Sequence, residues 1–513
     1  MSLAEHDFSR YFPIVRSTSG KKNAVESPLD GSHLADVPIS SIEDVEDAFR
    51  AARDAQEHWK HTSLKERSKI LLRYHDLLFE NQEMLMDLVQ LESGKVRSQA
   101  FEEILHVALT SRYYARRLKK LMRTTRRLGA FPVITKAYVN RVPKGVVGII
   151  SPWNYPLTMA MSDGLPAIVA GNAVVHKPDS QSVLTAAAGI ELLYQAGLPR
   201  DLWQLVSGEG SVIGTEIISK ADYVCFTGST KTGRLVAKQA AERLINVSLE
   251  LGGKNAGLVL ADADPFKAAA DATNACFSSA GQLCVSLERI YVNDAVYDQF
   301  AQAFVDRTNS MTLSTHLGWG GDMGSLVSAR QLETVESHVN DALDKGATLL
   351  AGGKARPDLG PYVFEPTILA DVTEDMECYR KETFGPVVSL YRVSNDEEAI
   401  DMANDSEYGL NATIFTSNAA YGRKIASRIQ AGTVNVNEGF AATFASLDTP
   451  MGGFKSSGMG RRQAEEGIWR YTESQAVASQ SVMPISGPDY LTKEKYAKLM
   501  SFSLKLLRKI GRP

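Results

Sequence analysis

Short apolar segments alternate with helical segments between residues 145 and 242, and this alternation constrains the fold more than any other feature of the chain. The predicted strands are 145–150, 172–177, 202–207 and 223–226, and the predicted helices are 182–196, 210–219 and 231–242. Strands joined by helices form βαβ units, which bring the strands together in a parallel sheet. Ligands of such sheets bind beyond the carboxyl ends of the strands, where we expect Lys177 and the Thr227-Gly-Ser-Thr turn.

A second α/β pattern follows residue 253. Its predicted strands are 256–260, 289–292, 387–391, 411–415 and 432–436, and a helix is predicted over 296–311. Residues 41–125 are predicted to be helical, beginning at a capping-box pattern from Ser41 to Asp44. The sequence therefore predicts an α/β protein with two sheet-based units and no internal repeat.

Composition narrows the class of protein. The chain has 513 residues, 44% of them hydrophobic and 23% charged, which is typical of a globular protein of two or three domains. Its net charge of −4 gives no reason to expect a nucleic acid partner. The N-terminus lacks the basic start and apolar run of a secretory signal, and the apolar segments are too short to span a bilayer. Four cysteines without a C-x-x-C pair indicate a reducing, cytoplasmic setting.

The C-terminal residues 491–513 differ from the rest of the chain. They carry seven Lys or Arg residues and one Glu, with apolar residues at helical spacing. Two interpretations stay open. A helix that docks on its own protein or frays is the favoured one, and contact with a membrane or another partner through a basic amphipathic helix is the alternative.

Several familiar chemistries can be excluded. The segment from Gly228 to Gly233 has the glycine spacing of a phosphate loop, but Arg234 follows where Lys and Ser or Thr are required. The glycines between Gly208 and Gly214 do not match the dinucleotide fingerprint. There is no H-E-x-x-H motif, no cluster of His with Cys, and no G-x-S-x-G elbow. We therefore expect neither a metal site nor a serine hydrolase.

Cys284 and Glu250 are the strongest catalytic candidates. Cys284 has small and polar neighbours that would leave its thiol approachable, whereas the other three cysteines are interpreted as buried and inert. Glu250 lies between two leucines, and burial there would raise its pKa towards that of a general base. Asn154 lies in a proline-bounded loop and could donate its amide to an oxyanion, although an Asn at such a turn is often only structural.

The combination of motifs resembles the NAD(P)-dependent aldehyde dehydrogenase superfamily, over about residues 25–480. The motifs that carry the resemblance are Trp153-Asn-Tyr-Pro, His176-Lys-Pro, Phe226-Thr-Gly-Ser, Glu250-Leu-Gly-Gly-Lys, Gly281-Gln-Leu-Cys, Glu382-Thr-Phe-Gly-Pro and Pro450-Met-Gly-Gly-Phe-Lys. The resemblance implies that Cys284 attacks the aldehyde carbon. Asn154 and the Cys284 backbone N–H would hold the oxyanion, hydride would pass to the cofactor, and Glu250 would activate water to release the acid from a thioester. Lys177 also matches a catalytic position.

The same resemblance implies a set of cofactor-binding residues. They are Trp153, Asn154, Lys177, Ser180, Gly228, Ser229, Leu251, Glu382 and Phe384. Members that prefer NAD often have a glutamate where this chain has Ser180. A serine can donate to a 2′-phosphate that a carboxylate would repel, so we expect NADP, with NAD as an alternative.

The substrate is less constrained. The segment 177–182 is most similar to bacterial succinate-semialdehyde dehydrogenases, which predicts succinate semialdehyde. Many such enzymes have a carboxylate-binding arginine where this chain has Ser162, and some have a second cysteine where it has Ser286. Phe440 and Phe444 could line an apolar entry. An aromatic or a medium- or long-chain aliphatic aldehyde is therefore the alternative, and a CoA-acylating or non-catalytic relative is disfavoured because Glu250 and Cys284 are both present.

The resemblance also implies the domain organisation. We expect a Rossmann-type cofactor domain (1–125 and 145–252), a catalytic domain (253–450), an oligomerisation arm (126–144 and 474–484), and the basic tail (491–513). Such an arm predicts a homodimer or a homotetramer.

Overall fold

Two mostly parallel sheets organise the chain, as the α/β prediction requires. The computed structural model describes residues 8–131 and 134–509. Residues 1–7, 132–133 and 510–513, which fall within the predicted cofactor domain, arm and tail, lie outside the described residues. The α-helices of the described residues are α1 (Ile42–Trp59), α2 (Leu64–Glu80), α3 (Gln82–Ser93), α4 (Arg97–Leu121), α5 (Pro156–Met161), α6 (Gly164–Ala170), α7 (Val183–Gln195), α8 (Thr215–Lys220), α9 (Thr230–Glu242), α10 (Pro265–Phe277), α11 (Tyr297–Asn309), α12 (Ala329–Asp344), α13 (Glu377–Arg380), α14 (Asp396–Asn404), α15 (Ala419–Ala426), α16 (Ala441–Ala445), α17 (Ala464–Trp469) and α18 (Lys493–Lys509).

The strands follow the same order along the chain. They are β1 (Lys22–Glu26), β2 (His33–Pro38), β3 (Thr125–Arg127), β4 (Thr135–Pro143), β5 (Val146–Ile150), β6 (Ala173–Lys177), β7 (Trp203–Leu205), β8 (Tyr223–Thr227), β9 (Asn246–Glu250), β10 (Asn255–Val259), β11 (Leu287–Asn293), β12 (Thr348–Ala351), β13 (Thr367–Ala370), β14 (Val387–Val393), β15 (Tyr408–Gly409), β16 (Asn411–Phe415), β17 (Thr433–Val436), β18 (Phe454–Lys455), β19 (Gly458–Met459) and β20 (Thr472–Gln480).

The first sheet has six strands in the order β19-β9-β8-β5-β6-β7. Its strands are parallel except for β19, which pairs antiparallel with β9 so that Gly458 lies opposite Glu250. Strands β5, β6 and β8 are almost wholly buried because helices cover both faces, and their sequences are correspondingly rich in Val and Ile. The carboxyl ends of β8 and β9 lie side by side, and they carry Thr227 and Glu250.

The second sheet has seven strands in the order β12-β13-β14-β11-β10-β16-β17. All neighbours are parallel except β12 and β13. Each sheet belongs to its own large hydrophobic core. We propose that the two cores correspond to the cofactor and catalytic domains, with β19 added to the first sheet from beyond the predicted boundaries.

The helical N-terminal region begins at two capping boxes. Ser41 and Ser63 each accept a hydrogen bond from the backbone three residues later, and the side chains of Asp44 and Glu66 return the interaction. Reciprocal caps of this kind satisfy N–H groups that the first turn of a helix leaves unpaired. The capping box expected at Ser41 is present.

A three-stranded antiparallel sheet, called the arm sheet below, has the order β20-β4-β3. Strand β20 pairs with β4 along its whole length, from Thr472 opposite Pro143 to Gln480 opposite Thr135. The strand predicted at 474–484 is therefore observed at Thr472–Gln480. After Thr472 every residue of β20 is exposed.

Helix α18 occupies the predicted tail, and none of its residues is buried. Tyr496, Met500, Ser503 and Leu507 are only partly exposed, so docking or fraying of this helix and its contact with a membrane or partner all stay predictions. Across residues 8–131 and 134–509, no helix combines the length and the apolar character needed to cross a membrane.

Candidate active site

A cavity of about 400 Å³ opens between the carboxyl ends of the two sheets. It is lined by most of the residues that the sequence predicted. The predicted residues that line it are Trp153, Asn154, Gly228, Ser229, Glu250, Leu251, Cys284, Glu382, Phe384 and Phe444. The sheets bring these residues together from distant parts of the chain, because parallel strands end at the same edge.

The Cys284 loop is built from unusual backbone conformations. Ser279, Ala280 and Gly281 all have positive φ values, of 53°, 55° and 69°. Left-handed conformations are costly for residues with a Cβ, and they concentrate at functional sites. A Cβ at Gly281 would lie 2.0 Å from the carbonyl oxygen of Gly385, so glycine is required there. This turn directs Cys284 into the cavity, where it is partly exposed, while the other three cysteines are buried.

Gln282 holds this loop against its surroundings. Its amide nitrogen donates to the Ser279 carbonyl oxygen at 3.1 Å, and its amide oxygen accepts from the backbone of Val327 at 2.9 Å. The side chain of Asn154 donates to the Gln282 carbonyl oxygen at 2.8 Å. An amide nitrogen carries two hydrogens, so one remains for a ligand in the cavity. The Asn154 side chain is thus fixed by one amide hydrogen and can donate a hydrogen bond to a ligand with the other.

Glu250 is the last residue of β9, and backbone hydrogen bonds to two neighbouring segments fix the chain at this point. Its carbonyl oxygen accepts from Gly228 at 3.0 Å, and the next residue, Leu251, donates to the Ser457 carbonyl oxygen at 2.9 Å. Burial raises the pKa of the Glu250 carboxyl to about 7, with Asp163 adding to the rise and Arg462 opposing it. A carboxyl with this pKa can both accept and return a proton near neutral pH.

Burial also raises the pKa of the Cys284 thiol to about 12, and Glu250 and Glu382 contribute to the rise. Arg462 opposes it. At neutral pH the thiol is therefore protonated, and attack by sulfur requires a nearby proton acceptor. Glu250 lines the same cavity and is the candidate acceptor.

Arg462 connects Glu250 to a buried charge network. Its Nε lies 4.0 Å from Glu250 Oε1, and neither atom has a hydrogen bond to another described residue. Its Nη2 pairs with Asp163, whose other oxygen accepts from Arg470 at 2.6 Å. Although burial alone would raise it, the two arginines hold the pKa of Asp163 below its ordinary value. Asp163 thus fixes Arg462 so that one N–H faces the Glu250 carboxylate.

Replacing Arg462 with glutamine should therefore raise the pKa of Glu250. Because a base works only when deprotonated, the acid limb of the pH profile of kcat should move to higher pH by about one unit. Arg462→Lys retains the cation and should restore part of the shift, which distinguishes charge from packing. An unchanged acid limb in a folded, cofactor-binding Arg462→Gln protein would contradict the expectation.

The opposite side of the cavity is aromatic and acidic. Trp153 and Phe384 meet edge to face with ring centroids 5.6 Å apart. Glu382 accepts from the Gly253 backbone at 2.8 Å, and its second oxygen would lie 2.2 Å from a Cβ at Gly252. Burial and the nearby Glu288 raise the pKa of Glu382 to about 8. The second carboxyl oxygen of Glu382, which lies beside the Gly252 backbone, could accept a hydrogen bond from a ligand hydroxyl group.

Glu288 fixes this segment. It accepts from the backbone N–H groups of Thr383 and Phe384, and it pairs with Lys254 at 2.5 Å. The pair is buried, so each charge depends on the other. Lys254 of the Glu250-Leu-Gly-Gly-Lys motif therefore has a structural role here, and it positions Phe384 indirectly.

The residues present fit a dinucleotide. Gly228 lies against the Phe226 ring, where a Cβ would be 2.7 Å away, and Ser229 caps the N-terminus of α9. Helix N-termini and glycine backbone suit phosphate groups. Lys177, at the end of β6, is buried, and the one hydrogen bond of its Nζ to a described residue goes to the Pro178 carbonyl oxygen. A buried ammonium with two donors that no described residue uses suits a polar ligand.

Several predicted residues lie outside the cavity. Lys177 is the last residue of β6, which lies beside the edge strand β7 of the six-stranded sheet. Ser180 follows β6, and its hydroxyl donates to the Gly208 carbonyl oxygen at 3.4 Å. Ser286 is buried outside the cavity lining, and its single hydroxyl hydrogen lies between the carbonyl oxygens of Ala275 and Cys276, which are 3.1 and 3.0 Å from Oγ. The Ser162 hydroxyl is buried with no hydrogen bond to a described residue.

The two phenylalanines differ in their positions. Phe444 lines the cavity, and its ring stacks on that of His106 with the ring centroids 4.1 Å apart. Phe440 does not line the cavity: it is buried in a small apolar cluster against which Phe444 packs. Burial lowers the pKa of His106 to about 3, so the ring is neutral. The cavity wall near the thiol is completed by Tyr155, Met159 and Leu283.

The residues that position the proposed catalytic groups, without being catalytic candidates themselves, were not predicted from the sequence. Gln282 stood inside a recognised motif and could have been singled out, whereas Arg462 and Asp163 belong to no pattern that indicates a contact with Glu250. Glu103 was also missed: it accepts from the backbone of Leu157 and Thr158 at the start of α5 and thereby fixes the Asn154 loop. In the described part of the chain no cluster of His, Cys, Asp or Glu could hold a metal ion.

Known proteins of one family resemble the chain over most of its length. The model of the aldehyde dehydrogenase family matches residues 14–477. A protein of Mycolicibacterium smegmatis, provisionally named an NADP(+) succinate-semialdehyde dehydrogenase, is 50% identical over 98% of both chains. A 3-sulfolactaldehyde dehydrogenase of Pseudomonas putida is 35% identical over 90% of this chain and 94% of the other. The crystal structure of betaine aldehyde dehydrogenase from Staphylococcus aureus with NAD+ has a TM-score of 0.86 and 30% identity, covering 93% of this chain and 95% of the other.

Proposed function

The chain belongs to the aldehyde dehydrogenase family, and we propose that it oxidises its aldehyde with NADP+ through a thioester on Cys284. The observation that carries this proposal is the convergence of Cys284, Glu250 and Asn154 on one cavity. Bound NADP+ would supply the acceptor for hydride. Trp153, Glu382 and Phe384 would hold its nicotinamide half, and Gly228, Ser229 and Lys177 its phosphates and second ribose.

The first step falls to Cys284 and Glu250. The thiol gives its proton to the Glu250 carboxylate, and the sulfur bonds to the aldehyde carbon while the carbonyl oxygen becomes an oxyanion. This covalent addition turns a poor hydride donor, the aldehyde, into a good one, the alkoxide. The free hydrogen of the Asn154 amide and the Cys284 backbone N–H donate to that oxyanion.

The second half-reaction requires water. After loss of hydride the acyl group remains on sulfur as a thioester. Glu250 takes a proton from water, the hydroxyl oxygen attacks the acyl carbon, and the carbon–sulfur bond breaks to release the acid. A pKa near 7 lets Glu250 give up the proton gained in the first step before it acts again.

Ser180 underlies the preference for NADP. It follows the strand that carries the buried Lys177 cation, and it adds no negative charge near a 2′-phosphate. Ser180→Glu should therefore lower kcat/KM for NADP relative to NAD by about tenfold or more, because a carboxylate repels the phosphate and accepts from a 2′-hydroxyl. Ser219→Glu, on the exposed face of α8, is the matched control and should leave the ratio unchanged. The same ratio in both variants would mean that the 2′-phosphate is recognised elsewhere.

Succinate semialdehyde is the proposed substrate, and relatives that are 50% and 51% identical and are provisionally named succinate-semialdehyde dehydrogenases support it. Its distal carboxylate requires a cation. Of the described residues that line the cavity, Arg330 alone is basic, and it lies on the Phe384 side. Arg462 is a second nearby cation: its Nη1 donates to the sulfur of Met159, a lining residue, at 3.2 Å, and its charge lowers the pKa of the Cys284 thiol.

An uncharged aromatic or aliphatic aldehyde is the second candidate. The apolar wall of Tyr155, Met159, Leu283 and Phe444 favours it, because an unpaired carboxylate would be desolvated there. The test is kcat/KM for succinic semialdehyde, hexanal and benzaldehyde with NADP. Preference for succinic semialdehyde supports the first candidate, and preference for the other two overturns it in favour of the second. No turnover of any of them would contradict both.

We also propose a homodimer or homotetramer formed through the arm sheet. Strand β20 is an edge strand, nine residues long, whose side chains are exposed after Thr472. Long free edges of this kind pair readily with another strand. Molecular mass in solution tests this assembly directly.

A further inference from the structure

Among the described residues, the hydrogen bonds of helix α18 outside the helix itself go to the segment that connects it to β20. The hydroxyl of Tyr496 donates to the Ile485 carbonyl oxygen, and the Tyr496 ring lies against Gly487. The large apolar residues beyond it remain open, with Leu499, Phe502, Leu504 and Leu506 between 50% and 66% exposed. An exposed apolar face of this size on a charged helix indicates an interaction site.

The apolar residues of α18 lie on one side of the helix. On a helical projection, an arc of about 220° from Phe502 to Ala497 contains every apolar residue of the helix, interrupted only by Ser503 and two lysines of the first turn. The opposite arc contains Lys498, Lys505, Arg508, Lys509, Ser501 and Glu494. A helix that docks into a protein groove needs an apolar stripe of only about 100°. The wider face of α18 matches a helix that lies half-immersed in an interface.

Charge identifies the kind of interface. Helix α18 carries six basic residues and one acidic residue, and that residue, Glu494, pairs with Lys498 at 2.6 Å. The arm sheet to which α18 is connected adds Arg126 and Arg127 on β3, both exposed, followed by Leu128 at 81% exposure. Ser481, just after β20, donates to the Ile134 carbonyl oxygen, which ties the start of the connection to the arm sheet. The basic residues of α18 and the two exposed arginines of the arm sheet favour binding to a negatively charged surface.

We propose that α18 binds the surface of a membrane that contains anionic lipids. The apolar face enters the region between headgroups and acyl chains, and the Lys and Arg residues of the polar face contact lipid phosphates. The helix lies on the membrane and does not span it. The proposal is independent of which aldehyde the enzyme oxidises.

The test is flotation of the purified full-length protein with phosphatidylcholine vesicles that contain or lack phosphatidylglycerol. Binding should be at least about tenfold stronger with the anionic lipid and should weaken at high salt. The double variant Phe502→Asp/Leu506→Asp should lose this binding while keeping its aldehyde oxidation, because neither residue is buried. Phe266→Asp is the matched control, since Phe266 and Phe502 are both 66% exposed.

The charge reversal Lys505→Glu/Arg508→Glu should reduce binding to anionic vesicles, which separates the electrostatic part from the apolar part. Two results would overturn the proposal. One is the absence of binding to either kind of vesicle. The other is a change in oligomeric mass in the Phe502→Asp/Leu506→Asp variant without any effect on flotation, which would assign the face to a second copy of the chain.

Discussion

Replacing Cys284 with alanine is expected to lower kcat/KM for any aldehyde by about 10⁴-fold or more, because the covalent route is lost with the thiol. The alternative, direct hydride removal from a bare aldehyde, lacks an alkoxide to drive it. NADP binding should be retained, since the residues proposed to hold the cofactor lie on other elements. The measurement is steady-state turnover together with cofactor titration by fluorescence.

Cys378→Ala is the matched control for this variant. Cys378 is buried in the second sheet's core, outside the cavity, and its loss should affect stability more than turnover. A Cys284→Ala protein that retains substantial turnover, in a sample free of wild-type enzyme, would remove Cys284 from the mechanism. A loss of equal size in Cys378→Ala would mean that activity reports folding in both variants.

Replacing Glu250 with glutamine should lower kcat by about 10²- to 10⁴-fold, because proton acceptance from the thiol and from water both depend on its carboxylate. Glutamine preserves the shape of the side chain and removes only its basicity. The acyl-enzyme should accumulate if hydrolysis is slowed more than thiol attack, and it is detectable by mass spectrometry of the quenched protein. Glu250→Asp keeps a carboxylate on a shorter arm and should be the less impaired of the two.

The pH dependence gives an independent check on Glu250. Its pKa is raised to about 7, so the base is mostly protonated below that pH and mostly ionised above it. The wild-type rate should therefore rise through about pH 7, and this rise should be missing in Glu250→Gln. A Gln variant with the wild-type rate and the same pH profile would exclude Glu250 as the base.

Much of the fold could be predicted from the sequence, because local patterns determine it. Buried strands such as Asn411–Phe415 are short apolar segments between turn residues, and the prediction matched the structure. The helix predicted over 210–219 is less regular: it begins as a π-helical turn, Gly210–Gly214, before α8 continues it. Glycine at both ends of that turn removes the side-chain constraints that normally keep a helix regular.

Site residues that lie in short motifs could be predicted from the sequence. Site residues that contact them from distant parts of the chain could not. Cys284 and Glu250 stand in short, glycine-containing motifs. Arg462 stands beside a motif but acts on Glu250 through space, and its orientation is determined by Asp163, a residue with no distinguishing neighbours in the sequence. Such contacts depend on tertiary packing, which one sequence does not encode as a local pattern.

The pairing of β19 with β9 has a consequence for the synthesis of the protein. Glu250 leaves the ribosome long before Ser457, Gly458 and Arg462, yet those later residues hold its backbone and face its carboxylate. A nascent chain can form the parallel strands of the first sheet as they emerge, but the Glu250 carboxyl acquires its final environment only when residues 457–462 have been added. Products truncated before residue 457 therefore keep the nucleophile and lose the setting of the base. Glu250 can therefore act as the proposed base only after residues 457–462 have been made and have folded against β9.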